Sequence, residues 1–256
     1  MAAGIQLSML PGSFPAFPER KEFDLLASMD PAKEVGGDFY DFFLVDEDHL
    51  VLVTADVSGK GVPAALFMMI AKTMLKNSAK PGFSPAAVLE EVNAQLCEDN
   101  GNGMFVTVWL GVLELSTGRL VWADAGHEKP VLFHEGAWSF LNKHNGVALG
   151  MMDPELLELD DEPAFVDQEL CLTPGDAIFQ YTDGVTEATD AKERLFGEER
   201  LLEALNASRT EAPEALLPYL RGEIDAFVKD APQFDDITML ALLYHGQAGG
   251  REGQDA

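Results

Sequence analysis

Basic residues are scarce. Only 17 lysines and arginines stand against 44 aspartates and glutamates in 256 residues, a formal charge of −27 at pH 7. Such a field repels a nucleic-acid phosphate backbone and an anionic membrane surface, so neither is expected as a direct partner. Most of the carboxylates read as a solvated surface. Cysteine is nearly absent: Cys97 and Cys171 show no metal-type spacing and are too few for a disulfide framework, which fits a reducing, cytoplasmic setting. Cys97 has no basic neighbour in its predicted helix to support a thiolate, so no nucleophilic role is expected of it. No apolar run reaches the ~18–20 residues of a membrane span. Met1-Ala2-Ala3 lacks the basic region and apolar block of a signal peptide. Also missing are the P-loop spacing around Ser58-Gly59-Lys60-Gly61 and any EF-hand loop. A nucleophile elbow is absent too, and Ser58 has no base near it in sequence.

Apolar residues, by contrast, make up 47% of the chain, enough for a substantial core. Residues 1–20 read as a lead-in segment, 21–245 as the folded domain and 246–256 as a disordered tail. Strands are expected at Glu22–Met29, Glu34–Leu44 and His49–Val57, the last a short β-branched apolar run that should be central. Two helices follow, Pro63–Ser78 and Pro85–Asp99, each with proline near its first turn and the second capped by Ser84. The apolar face of the first, including Leu66, Phe67, Met69, Ile70 and Met74, reads as core. Further strands are expected at Met104–Leu115, Arg119–Ala125, Pro130–His134, Ala137–Leu141, Val166–Leu172 and Ala177–Thr182. Helices return at Glu198–Ser208 and Glu214–Lys229, before a last strand at Ile237–Tyr244. This is not βα alternation. Strand-rich blocks flanked by helix pairs indicate an α+β domain with antiparallel sheets and helices outside.

Four aspartates sit in distinctive frames: Asp38 after Val35-Gly36-Gly37, Asp56 before Val57-Ser58-Gly59-Lys60-Gly61, Asp183 in Thr182-Asp183-Gly184 and Asp235 in Phe234-Asp235-Asp236-Ile237. Any one alone reads equally as a turn former. Together, at strand ends from distant parts of the chain, they would repel one another unless a cation bound them. An all-oxygen set selects a hard divalent ion such as Mg²⁺, Mn²⁺ or Ca²⁺. The neighbouring glycines would let backbone approach an ion, and the Val57 carbonyl could join its shell. Gly36-Gly37-Asp38-Phe39 is superficially similar to the diguanylate cyclase signature, but that signature needs an acidic residue where Phe39 stands. His127, in Ala125-Gly126-His127, reads first as a turn histidine with structural hydrogen bonds and second as catalytic. Lys33 reads as a surface lysine, or as a charge facing a substrate phosphate.

These frames, with Ala125-Gly126-His127 and Thr182-Asp183-Gly184-Val185-Thr186-Glu187, occur in one order over nearly the whole chain. They resemble bacterial PPM-type serine/threonine phosphatases, nearest the branch of the stage II sporulation protein E and the sigma-B regulators. The resemblance implies a four-layer α-β-β-α sandwich of two antiparallel sheets with helices on both outer faces, and Mn²⁺ or Mg²⁺, two ions, between the sheets. It assigns the metal shell to Asp38, Asp56, the carbonyl of Val57, Asp183 and Asp235, with Asp41 and Asp236 in supporting positions. It implies in-line hydrolysis by a metal-activated water, with no covalent enzyme intermediate. The implied substrate is a phosphoserine or phosphothreonine on an anti-sigma-factor antagonist of the STAS fold. Ile5-Gln6-Leu7-Ser8-Met9-Leu10-Pro11 would be the end of a helix leading from an upstream sensor. Eukaryotic members carry an acidic residue where Gly37 stands, an arginine near Lys33 and a histidine where Ser58 stands. The first metal pair is therefore expected to be loosely held, and no leaving-group acid is assigned. A non-catalytic module docking a STAS-type partner, and a small-molecule phosphoesterase, remain as alternatives.

Overall fold

The computed structural model describes residues 2–98, 100–142, 144, 146–157 and 163–247. A strand that is apolar on both faces needs a layer on each side, and two strands set the architecture in this way. β3 (His49–Val57) and β10 (Ile237–Tyr244) are buried almost throughout. β3 lies inside a five-stranded sheet of order β2-β3-β4-β5-β8, built with β2 (Phe39–Leu44), β4 (Val106–Glu114), β5 (Arg119–Ala125) and β8 (Gln168–Cys171). β10 lies inside a second, of order β1-β10-β9-β6-β7, with β1 (Phe23–Asp30), β6 (Val131–His134), β7 (Ala137–Phe140) and β9 (Ala177–Tyr181). Every pairing between these strands is antiparallel.

Helices cover the outer faces. α2 (Val62–Ser78) and α3 (Pro85–Glu98) lie on the β3 sheet, and α6 (Gly197–Ala207) and α7 (Pro213–Val228) on the β10 sheet. One apolar core joins Phe39, Trp109, Leu240 and Leu242 with Met68, Leu75 and Leu89 of α2 and α3. A second sits between Phe179 and Tyr181 of β9 and Leu201, Leu216 and Leu220 of α6 and α7. This is the α-β-β-α sandwich that the motifs imply. The elements match the sequence reading to within a few residues at most ends, and Ser84 does cap α3, accepting from the Ala87 amide at 3.3 Å.

Three features differ. The strand expected from Glu34 begins only at Phe39. The Gly37 amide within that span and the Ala32 amide just before it both donate to the Asp236 carboxylate at 2.8 Å, so residues 31–38 form a loop. The buried face of α2 is only partly the expected one: Phe67, Met69 and Met74 do pack against the core. Ala64, Met68, Ala71, Lys72 and Leu75 face inward, whereas Leu66 and Ile70 are exposed. The small alanines let the helix lie close to the sheet in a phase that turns Leu66 and Ile70 outward. Finally, two single-turn helices were not expected, α4 (Pro154–Leu157) and α5 (Asp183–Thr186).

The lead-in segment contains α1 (Ala2–Met9), which contacts α2. Gln6 is 4% exposed and grips the loop before β2 from both sides. Its Nε2 donates to the Gly36 carbonyl at 2.6 Å, and its Oε1 accepts from the Gly36 amide at 3.1 Å. The tail expected at 246–256 lies outside the described residues from 248 onward.

Candidate metal centre

The β2–β3 register pairs Phe39 with Ala55, so Asp38, one residue earlier, faces Asp56 across the two strands. Asp38 is 2% exposed and points between the sheets. Its Oδ2 accepts from Thr182 Oγ1 and Thr238 Oγ1 of the opposite sheet, both at 2.6 Å. The Thr238 amide in turn donates to Thr182 Oγ1 at 3.1 Å. Asp183 opens α5 directly after β9, at the first position of a helical turn rather than at a strand end. Asp235 lies one residue before Asp236, at the approach to β10. The two sheets thus bring Asp38, Asp56, Asp183 and Asp235 to one end of the sandwich.

Their proximity has an electrostatic consequence. Burial, then the neighbouring Asp56 charge, holds Asp38 well above the usual carboxylate range, against the two threonine hydrogen bonds that lower it. Burial and then Asp183 push Asp56 up to about 7. Burial, then Glu187 and Asp235, push Asp183 to about 6. Like charges forced together out of water raise each other's affinity for protons. The donor set is all carboxylate, with the Val57 carbonyl beside Gly37, and its excess negative charge fits a hard divalent cation. Among the described residues, however, no three such side chains already close on a single point. The reason is local: Asp38 is turned to its two threonines, and Asp235 is held by Lys60, whose Nζ is 2.7 Å from Asp235 Oδ2.

The supporting candidates separate. Asp41 is three residues along β2 from Asp38, hence on the opposite face. It pairs with Lys72 of α2 and is spent on that contact. Asp236 is buried and holds the 31–38 loop through Ala32 N and Gly37 N, with Asp38 N at 3.4 Å. That grip explains two glycines: a Cβ at Gly36 would lie 2.1 Å from Asp236 Oδ2, and one at Gly184 would lie 1.8 Å from the Asp236 carbonyl. A Cβ at Gly37 would come within 2.8 Å of the Val57 carbonyl. These glycines therefore serve close backbone packing around the site. His127 is buried, with Nδ1 2.8 Å from Thr107 Oγ1, which itself lies 3.4 Å from the Asp56 carbonyl. It steadies β4 beside Asp56. Lys33 is exposed in the 31–38 loop.

Sequence reasoning did not single out Lys60, Thr107, Thr182, Thr238 or Gln6. Thr182 and Thr238 stand inside the quoted frames, one on each side of the inter-sheet gap, and the buried register of β9 and β10 could have drawn attention to them. A cavity of about 360 Å³ under the α2–α3 turn, lined by Val51, Phe83, Val88 and Arg119 among others, contains none of the four aspartates.

The model of the stage II sporulation protein E (SpoIIE) family matches residues 46–245. The chain is 31% identical over 265 residues to protein IcfG of Synechocystis sp., covering 93% of this chain and 40% of that protein. It is 29% identical over 189 residues to the phosphoserine phosphatase RsbU of Bacillus subtilis, covering 73% of this chain and 52% of RsbU. The chain thus spans about half or less of the length of these relatives. Among solved structures, the SiaA-PP2C domain of Pseudomonas aeruginosa superposes with a TM-score of 0.78 at 24% identity, over 95% of this chain and 94% of that domain. The fold, the order of the motifs and the family match lead to one conclusion: the chain belongs to the SpoIIE family of PPM-type serine/threonine phosphatases.

Proposed function

We propose that residues 21–245 form a Mn²⁺- or Mg²⁺-dependent protein phosphatase that hydrolyses phosphoserine or phosphothreonine. The observation that carries this reading is the gathering of Asp38, Asp56, Asp183 and Asp235 from both sheets, with the raised proton affinity of Asp38, Asp56 and Asp183. Those four side chains and the Val57 carbonyl would hold two ions. Bound divalent ions polarise a phosphoryl oxygen and lower the pKa of water. The chain's own contribution is to position. Thr182 and Thr238 orient Asp38, Asp236 fixes the loop that carries it, and Thr107 with His127 steadies the strand beside Asp56. The substrate that the family likeness supports is a STAS-fold anti-sigma-factor antagonist in the cytoplasm, under control of a sensor preceding α1. No helix among the described residues is long and apolar enough to cross a membrane.

The test is phosphate release from a phosphoserine-bearing STAS protein, with Mn²⁺ and with chelator, alongside turnover of p-nitrophenyl phosphate. Metal-dependent release that strongly favours the phosphoprotein is expected. Turnover of the small ester alone would make the domain a general phosphoesterase. Tight partner binding without release would make it a docking module.

A second expectation concerns stability. Asp56 and Asp183 have folded-state values of about 7 and about 6, above the ordinary 3.8. The folded chain therefore holds protons that the unfolded chain has released, and this stabilisation is complete below about pH 3.8 and lost as pH rises through 6 and 7. Among pH-dependent contributions, these two make the metal-free Tm lower at pH 8 than at pH 5.5. Saturating Mn²⁺ should raise Tm more at pH 8 than at pH 5.5, because the ion replaces the protons and binds only the folded state. Thermal melts with and without Mn²⁺ check this. A Tm indifferent to the ion at pH 8 would remove the metal assignment.

A further inference from the structure

Lys60 is the side chain that the motif reading left aside and the geometry brings to the site. It stands in the loop between β3 and α2, between Gly59 and Gly61, whose backbones have φ of 86° and 80°. That loop starts two residues after Asp56, the penultimate residue of β3. From there the Lys60 ammonium reaches across the sandwich to the segment before β10. It lies 2.7 Å from Asp235 Oδ2, donates to the Phe234 carbonyl at 2.7 Å, and sits 3.9 Å from the centre of the Phe234 ring. Phe234 itself is 70% exposed, so the contact lies at the rim of the site, open to an incoming macromolecule.

One carboxylate is thus claimed twice: by Lys60 as it stands, and by a divalent ion if Asp235 is a ligand. We propose that Lys60 is a substrate-positioning residue that neutralises Asp235 in the metal-free site and turns to the phosphoryl oxygens of the phosphoserine substrate once a divalent ion takes Asp235. This inference rests on the phosphatase reading above and names a cation for it. The physical grounds are charge and reach. An ion carrying two positive charges satisfies Asp235 better than an ammonium does, and it repels that ammonium from the carboxylate. The substrate phosphate brings nearly two negative charges into a region otherwise dominated by carboxylates, and it needs a compensating donor. A lysine on a flexible four-carbon stem, flanked by glycines, moves between such partners at little cost. Phe234 offers the stem an apolar surface in either position.

The experiment uses Lys60→Ala and Lys60→Arg in the full chain, with two readouts. Calorimetric titration with Mn²⁺ measures metal affinity, and steady-state kinetics on a phosphoserine protein measure kcat and KM. Lys60→Ala should bind Mn²⁺ several-fold more tightly, because the internal competitor for Asp235 is gone. Its kcat/KM should nonetheless fall about 10- to 100-fold, the size of a lost charge-assisted hydrogen bond, mainly through KM. Inorganic phosphate should inhibit it more weakly, and Lys60→Arg should recover most of the loss. Metal affinity and kcat/KM both unchanged in Lys60→Ala would overturn the proposal, as would both falling together, which would make Lys60 a loop fastener. A wild-type chain that binds no Mn²⁺ would overturn the phosphatase reading along with it. An active wild type with indifferent variants would overturn the Lys60 assignment alone.

Discussion

Asp56→Asn abolishes metal-dependent phosphate release while leaving the fold intact and, without metal at pH 8, more stable than the wild type. The two halves of this expectation have one cause. Burial, and then repulsion from the Asp183 charge, raise the proton affinity of Asp56. A neutral amide of the same shape removes the repulsion, so the metal-free domain should melt higher. The same change removes an anionic oxygen from the proposed metal shell. Residues that merely orient a metal ligand cost about 10–100-fold when mutated, so losing a ligand should cost more than ~100-fold in kcat/KM. Melting curves and initial rates on one preparation decide the matter. A variant that is inactive because it is unfolded would show the opposite melting shift, and a variant that keeps full activity would remove Asp56 from the site.

The largest expected effect on stability belongs to Lys72→Met. Lys72 is buried on the inner face of α2 and pairs with Asp41 of β2, also buried. Removing one partner leaves a charge in the interior, which costs about 3–5 kcal/mol, or a Tm lowered by roughly 6–20 °C in a domain of this size. Asp41 has one further acceptor contact, from its neighbour's amide Phe42 N at 3.0 Å, too little to compensate. Replacing both members, Asp41→Leu with Lys72→Met, should recover most of the loss. Denaturant unfolding of the two single variants and the double variant gives the coupling directly. Single variants within ~1 kcal/mol of wild type would mean that the pair is hydrated.

The pair also shows where a sequence stops being legible. A lysine in an amphipathic helix reads as outward-facing, and only β2 lying under α2 turns Lys72 inward. The same holds for Leu66 and Ile70: apolarity placed them in the core, but the alanine stripe of Ala64 and Ala71 sets the face that packs. Strands were easier. A run such as Val51 to Ala55, apolar on both faces, can only be central, and β3 has the expected bounds. The frames around the four aspartates were visible because each carries glycine or threonine in a fixed local pattern. What holds those aspartates was not visible. Lys60 meets Phe234 across 174 positions, and Thr238 meets Asp38 across 200. No periodicity reports contacts of that range, and they appear only once the two sheets face each other. Residues 34–38, expected as the start of a strand, form a loop for the same reason, since the side chain that claims amides of this loop, Asp236, arrives from the far end of the chain.

The grip of Gln6 on Gly36 has a consequence for how α1 and the Asp38 loop communicate. A single primary amide makes both bonds, one as donor and one as acceptor, so only one facing of the helix satisfies the loop. Turning α1 about its axis by one residue, about 100°, would present Ile5 or Leu7 instead, and neither can replace either bond. One rotational phase of the helix thus satisfies both backbone groups of Gly36, two positions from a candidate ligand. Gln6→Leu should remove both bonds, with faster hydrogen exchange at the Gly36 amide, and an unchanged exchange rate there would show that the loop does not depend on the helix.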